Sequence, residues 1–183
     1  MELTSLIPHP NAGNSPAIDV YALAAFQSGG RVTFRYRVRG DIARIKLPTE
    51  HAGERADELW RHTCFEAFVA PKDAERYIEL NFSPSTAWAA YTFDQYRIGM
   101  KPLPVLKKPS IKVTVEPELL AVDVAVQMRS LAANWAVGFS AVIEGTDGRI
   151  THWAITHSNA KPDFHDAKAW VASFQRPTPE DNA

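Results

Sequence analysis

Leu59-Trp60-Arg61-His62-Thr63-Cys64-Phe65-Glu66-Ala67-Phe68-Val69 is followed by Tyr77-Ile78-Glu79-Leu80-Asn81-Phe82-Ser83 and then by Trp88-Ala89-Ala90-Tyr91-Thr92-Phe93-Asp94. With side chains alternating between two faces, these segments predict three consecutive antiparallel strands over 63–70, 77–83 and 88–94. Pro71 ends the first strand, and the polar Lys72-Asp73-Ala74-Glu75-Arg76 turns the chain back. Pro84-Ser85-Thr86-Ala87 makes the second reversal. Setting Ala70 opposite Tyr77 places Glu66 opposite Asn81, and setting Ser83 opposite Trp88 adds the third strand. The core-facing set is then Phe65, Ala67, Val69, Ile78, Leu80, Phe82, Ala89, Tyr91 and Phe93. Trp60, His62, Glu66, Glu79, Asn81 and Trp88 gather on the other surface.

Outward from this motif the same habit recurs. In 31–39, Val32, Phe34, Tyr36 and Val38 point one way, with Thr33, Arg35, Arg37 and Arg39 opposite, which is the signature of a half-buried strand. A further strand is expected over 41–47, and 48–58 reads as a polar loop leading to Trp60. Ile111, Val113 and Val115 pair in a hairpin with Leu120, Val122, Val124 and Val126. Segments 136–144 and 149–157 flank Gly145-Thr146-Asp147-Gly148, whose glycines suit a tight reversal. Counting across that turn sets Trp153 opposite Ser140, with Gly138 and Val142 beside it. The stretch 96–109 reads as a crossing connection and 176–183 as a polar, frayed tail. Many short strands with almost no helical signal predict an all-β, single-domain antiparallel β-sandwich over 1–175.

Composition narrows the function. The chain has 183 residues, 20 of them Lys or Arg and 21 Asp or Glu, so no broad field favours a nucleic-acid backbone or an anionic membrane. Neither partner is expected. A single cysteine, Cys64, cannot form an intrachain disulfide, and its apolar strand setting is that of an inert thiol. The N-terminal sequence has no signal-peptide pattern and no stretch has membrane-span length, so a cytoplasmic location is expected.

Aromatic plates beside hydrogen-bonding groups suit a sugar, whose C–H faces stack while its hydroxyls need donors and acceptors. The expected partner is thus a small polar molecule, a saccharide or sugar-containing metabolite, bound without catalysis. The plainer alternative makes Glu66 and Asn81 an ordinary cross-strand pair, with Trp60 and Trp88 covering a loop. Trp153 is a further candidate plate, whereas Trp135 and Trp170 read as packing residues. Glu66 and Glu79 offer a third reading as an acid and base for glycoside cleavage. His152, His157 and His165 come nearest to a metal cluster, but His152 and His157 face opposite ways on a strand. Asp163 and Asp166 are read as bracing their loop, with calcium the alternative. The Arg35, Arg37 and Arg39 stripe is a solvated face, or else a seat for an anionic substituent. No cofactor is expected; the alternative is haem, with Met100 and His157 the available axial types.

The 59–68 and 81–91 motifs, with Thr151-His152-Trp153-Ala154 and Lys161-Pro162-Asp163-Phe164-His165-Asp166, resemble bacterial DOMON-like domain proteins. Those proteins are in turn similar to family 9 carbohydrate-binding modules. The resemblance spans most of the chain. It implies a jelly-roll-like β-sandwich that binds sugars or, in other DOMON branches, haem. In the family 9 modules a tryptophan and a glutamate six residues later meet the sugar, and Trp60 and Glu66 match both. Trp153 is the nearest match to the second, late-strand tryptophan. Arg61 and His62 stand where those modules commonly carry acidic residues, and Ile150 where they carry Asn. The ligand-binding set expected from pattern and resemblance together is Trp60, Arg61, His62, Glu66, Asn81, Trp88, Trp153 and His157.

Overall fold

The structure, a computed structural model, describes residues 3–12, 16–72, 74–104, 107–128, 134–170 and 172–175. The expected tail, 176–183, lies outside the described residues. Alternation settles the first half of the sandwich. Strand β1 (Thr4–Pro8) is followed by β2 (Ile18–Phe26) and β3 (Arg31–Gly40), and β3 sends Val32, Phe34, Tyr36 and Val38 fully inward. β3 pairs on its far side with β9 (Leu119–Gln127), which closes a hairpin with β8 (Ser110–Glu116). On the outer face of β3, Arg35 and Arg37 meet Asp123 at 3.6 and 2.7 Å, and Arg39 lies over the Tyr21 ring, as on a solvated strand face.

The second half is built from β4 (Cys64–Pro71), β5 (Tyr77–Phe82), β6 (Trp88–Phe93), β7 (Lys101–Pro102), β10 (Asn134–Glu144), β11 (Ile150–Ala154) and β12 (Ala172–Gln175). One antiparallel ladder runs β7-β6-β5-β4-β10-β11-β1-β2-β3-β9-β8, with β12 also pairing β10. β1 is the hinge of this curl: Thr4, Ser5 and Leu6 pair with β2, whereas Ile7 and Pro8 pair with β11. The two halves therefore face each other as an all-β antiparallel sandwich. Their shared core joins Tyr36 to Phe65 and Phe139, with ring centroids 5.0 and 6.2 Å apart, and Phe34 to Phe82 at 5.7 Å. Among the described residues no helix is long and apolar enough to cross a membrane.

The first hairpin has the expected register, with Glu66 opposite Asn81. The second does not, because its loop has three residues rather than four. Ser83 N–H donates to Ala87 O at 2.9 Å, and Thr86 takes a left-handed φ of 70°. Phe82, not Ser83, therefore faces Trp88. One residue of slip exchanges every side chain between faces. Trp88 and Ala90 join the core, while Ala89, Tyr91 and Phe93 move to the opposite surface. The β10–β11 turn repeats this geometry: Gly145 N–H donates to Arg149 O at 2.8 Å, with Gly148 at φ 80°. Trp153 consequently faces Ala141 rather than Ser140. It is a core residue, 3% exposed, and its indole N–H donates to Thr151 Oγ1.

Segment 41–47 is not a strand; it forms the 3-10 turn Ile42–Arg44 and a single bridge from Ile45 to Gly145. The connection after β6 contains the short β7, and β11 ends at Ala154 instead of His157. Trp135 packs in the shared core and Trp170 in a second apolar cluster on the other face of β4, both as packing residues, as expected.

Tyr36 ties the halves together, since its hydroxyl donates to the backbone carbonyl of Glu66 at 2.7 Å across the core. Tyr36→Phe leaves that buried carbonyl short of a donor and should cost about 1–3 kcal/mol in urea unfolding. A loss below about 0.5 kcal/mol would show that this bond does not fasten the sandwich.

Candidate functional site

β4 is buried on both faces. Phe65, Ala67 and Val69 enter the core, while Glu66, Phe68 and Ala70 point the other way with Glu79 and Asn81 of β5 and Tyr91 and Phe93 of β6. Two irregular segments and a turn cover this outer face. The 3-10 turn Leu59–Arg61 brings Trp60 edge-on to Tyr91, with centroids 6.1 Å apart. From the chain before β12, Trp170 stacks on Phe68 at 5.8 Å, directly over Gly138, where a Cβ would lie 2.2 Å from the indole. The turn after β6 supplies Arg97 and Met100. Trp60, Arg97, Met100 and the segment around Phe164 border an open cavity of about 350 Å³ whose walls are Trp60, Phe68, Phe93, Met100, Val142, Pro162 and Phe164, with Glu66, Glu79, Arg97, His152 and His165 as its polar groups.

The two carboxyls are the chemical centre. Glu66 and Glu79 are 3% and 4% exposed. Ser140 Oγ donates to Glu66 Oε2 at 2.8 Å, and Asn81 Nδ2 donates to Glu79 Oε1 at 2.7 Å. Burial, reinforced by the charge of Glu79, pushes the Glu66 carboxyl up to about 8. Burial also raises Glu79, partly offset by Asn81 and Arg97. His165 is pushed down to about 4 by burial and by the Arg97 charge, so its ring is neutral at neutral pH. Tyr77 Oη accepts from the Arg97 backbone N–H at 3.2 Å and shares a hydrogen bond with His165 Nδ1 at 2.7 Å. His165 Nε2 lies 3.7 Å from Glu79 Oε2.

The loop carrying His165 is braced by Asp163, which accepts from Arg97 Nη2 at 2.9 Å, from the His165 backbone N–H at 3.1 Å and from the Tyr96 hydroxyl. Asp166 accepts from Ser158 Oγ and from the Lys168 backbone N–H. Their oxygens hold the loop itself, and among the described residues no His, Cys, Asp or Glu cluster has the geometry to hold a metal ion.

Of the expected ligand set, Trp60 and Glu66 line the cavity, and Asn81 lies behind it as the partner of Glu79. The others point elsewhere. Arg61 pairs with Glu58, and the exposed His62 ring bonds Glu144 Oε2 at 2.7 Å. Trp88 is held in the core with its indole N–H on Gly53 O and Arg55 over its ring. Trp153 is buried in the core. His157 bonds the Ile7 carbonyl at 2.9 Å and sits edge-on to His9, so it does not join Met100 at the cavity as an axial pair would. Cys64 is a fully buried free thiol whose pKa burial raises. The cavity residues that pattern reading missed include Phe68, Phe93, Arg97 and Phe164. Phe93 was assigned to the wrong face by the turn count, and Arg97 is placed by a left-handed φ of 55° that no residue type announces.

The chain matches no protein-family model and no curated protein sequence. Its fold does match solved structures. A candidate carbohydrate-binding protein from Bacteroides uniformis aligns with a TM-score of 0.72 at 12% identity, covering 97% of this chain and 87% of that one. A family 9 carbohydrate-binding module from Caldicellulosiruptor kristjanssonii aligns in two complexes, with cellotriose at a TM-score of 0.61 and 8% identity and with glucose at 0.55 and 9%. Those alignments cover 100% of this chain and 85% and 87% of theirs. At such identities the likeness establishes the β-sandwich fold.

A raised Glu66 pKa has a sign-definite consequence for stability. Between the ordinary value of 4.5 and about 8 the folded carboxyl keeps a proton that the unfolded chain releases. Stability should therefore be fullest below the lower value and fall as pH rises through this window, by up to about 1.4 kcal/mol per unit. Glu66→Gln should flatten the fall, measured by chemical unfolding across that range. An equal slope in the variant would mean that Glu66 is ionised in the folded state.

Proposed function

We propose that this protein binds a small saccharide in the cavity over the outer face of β4, β5 and β6, without transforming it, as a DOMON-like relative of the family 9 modules. The observation that carries this reading is the convergence of Trp60 and Glu66 on one cavity beside Glu79 and further aromatic walls. A half-buried indole offers a flat surface for the C–H face of a ring, and fixed carboxyls orient hydroxyls. The carbohydrate-binding descriptions of the structural neighbours support the same ligand class. Binding is favoured over glycoside cleavage because the structural neighbours are described as carbohydrate-binding proteins and modules.

Isothermal titration with glucose and cellotriose tests the reading. Trp60→Ala and Glu66→Gln should each weaken binding about tenfold or more, the loss of a stacked ring or a charge-assisted bond. Trp153→Phe, a change inside the core, should leave affinity unaltered. Undiminished affinity in both cavity variants would overturn the assignment of the site.

A further inference from the structure

The polar inventory of the cavity is one-sided. Glu66 and Glu79 each engage one carboxylate oxygen with a neutral donor, Ser140 Oγ and Asn81 Nδ2. The second oxygen of each has no hydrogen bond among the described residues, and His165 Nε2 stands 3.7 Å from that of Glu79. Asn81 Oδ1, buried on the same face, likewise lacks a donor among the described residues. The cations nearby do not redress this. Arg97 reaches the cavity wall and lowers both carboxyls, but Asp163 holds its guanidinium at 2.9 Å and both carboxyls stay raised. His165 is neutral, and burial also lowers the pKa of His152. Two dry carboxyls facing a cavity without a cation of their own are costly to ionise, and an unmet buried acceptor adds to the cost.

We propose that the ligand is a cationic saccharide, a sugar ring whose free primary ammonium donates to the open oxygens of Glu66 and Glu79 while one ring face lies against Trp60. This rests on the saccharide reading above. An ammonium offers three donors and no acceptor, the complement of the open oxygens of Glu66 and Glu79. Its bonds to carboxylates are charge-assisted, and they relieve the repulsion between the two glutamates. A neutral ring supplies hydroxyl donors but no compensating charge. A sugar acid sets its own negative charge against the two buried carboxyls and is rejected.

Isothermal titration of the full chain with glucosamine, glucose, glucuronate and cyclohexylamine, at neutral pH, where the amines still carry charge and the Glu66 carboxyl is nearer ionisation than in acid, separates these ligands. Glucosamine should bind at least about tenfold more tightly than glucose, as expected for an added charge-assisted bond, and glucuronate should not bind. In Glu79→Gln the glucosamine-to-glucose ratio should fall close to one. If that variant does not fold, Glu66→Gln carries the same expectation. Glucose binding as tightly as glucosamine would overturn the inference and leave the saccharide reading intact. Cyclohexylamine binding as tightly as glucosamine would overturn the saccharide reading and leave cation recognition standing. Binding by none of the four would overturn both.

Discussion

The structure depends on keeping a carboxyl dry on a strand that is buried on both sides. Glu66 sits mid-way along β4, whose inner face is packed into the sandwich core and whose outer face is roofed by Trp60, Trp170 and the segment around Phe164. Each part of the residue is used. Its backbone carbonyl accepts the Tyr36 hydroxyl from inside the sandwich, and its carboxylate accepts Ser140 from the neighbouring strand outside. The cavity is thereby tied to the fold through one residue. A group held this firmly in low-dielectric surroundings keeps its orientation but resists ionisation, which makes it a strong partner for a ligand that brings donors.

The rest of the cavity is positioned by tertiary contacts. Arg97 and Asp163 fasten the turn after β6 to the loop before β12, and Tyr77 links Arg97 to His165. Phe68, Phe93 and Tyr77 surround the His165 ring at centroid distances of 5.1, 5.1 and 5.8 Å. A mouth built this way is preorganised, so little ordering is left to oppose binding.

Much of this was legible from alternation. The strict period of β3, the hairpin of β8 and β9, and the pairing of Glu66 with Asn81 all follow from which residues are apolar every second position. Trp60 and Glu66 were legible together because the chain leads from one straight into the strand that carries the other. What failed was the length of two turns. Thr86, a β-branched residue, gives no hint that it adopts a left-handed conformation, and between Gly145 and Gly148 the sequence does not say which glycine takes it. Each miscount by one residue reversed a strand: the first wrongly brought Trp88 to the cleft, and the second hid the core position of Trp153, which the resemblance had brought there. Sequence reading also passed over β1 and β2. In β2 the buried positions include Ala22 and Ala24, which blunt the apolar contrast, and β1 buries only Leu6. The far wall of the cavity was illegible for a different reason: Arg97, Pro162 and Phe164 lie on irregular segments with no period to read.

The central claim is that the outer face of β4, with Trp60 above Glu66, is where ligand meets protein. The five tryptophans make this directly observable, because each indole N–H gives its own resonance in a proton–nitrogen correlation spectrum. On titration with glucosamine or glucose, the account predicts a large shift of the Trp60 indole, while those of Trp88 and Trp153, enclosed in the core, stay in place. Movement of the Trp88 or Trp153 resonance with Trp60 unmoved would contradict it.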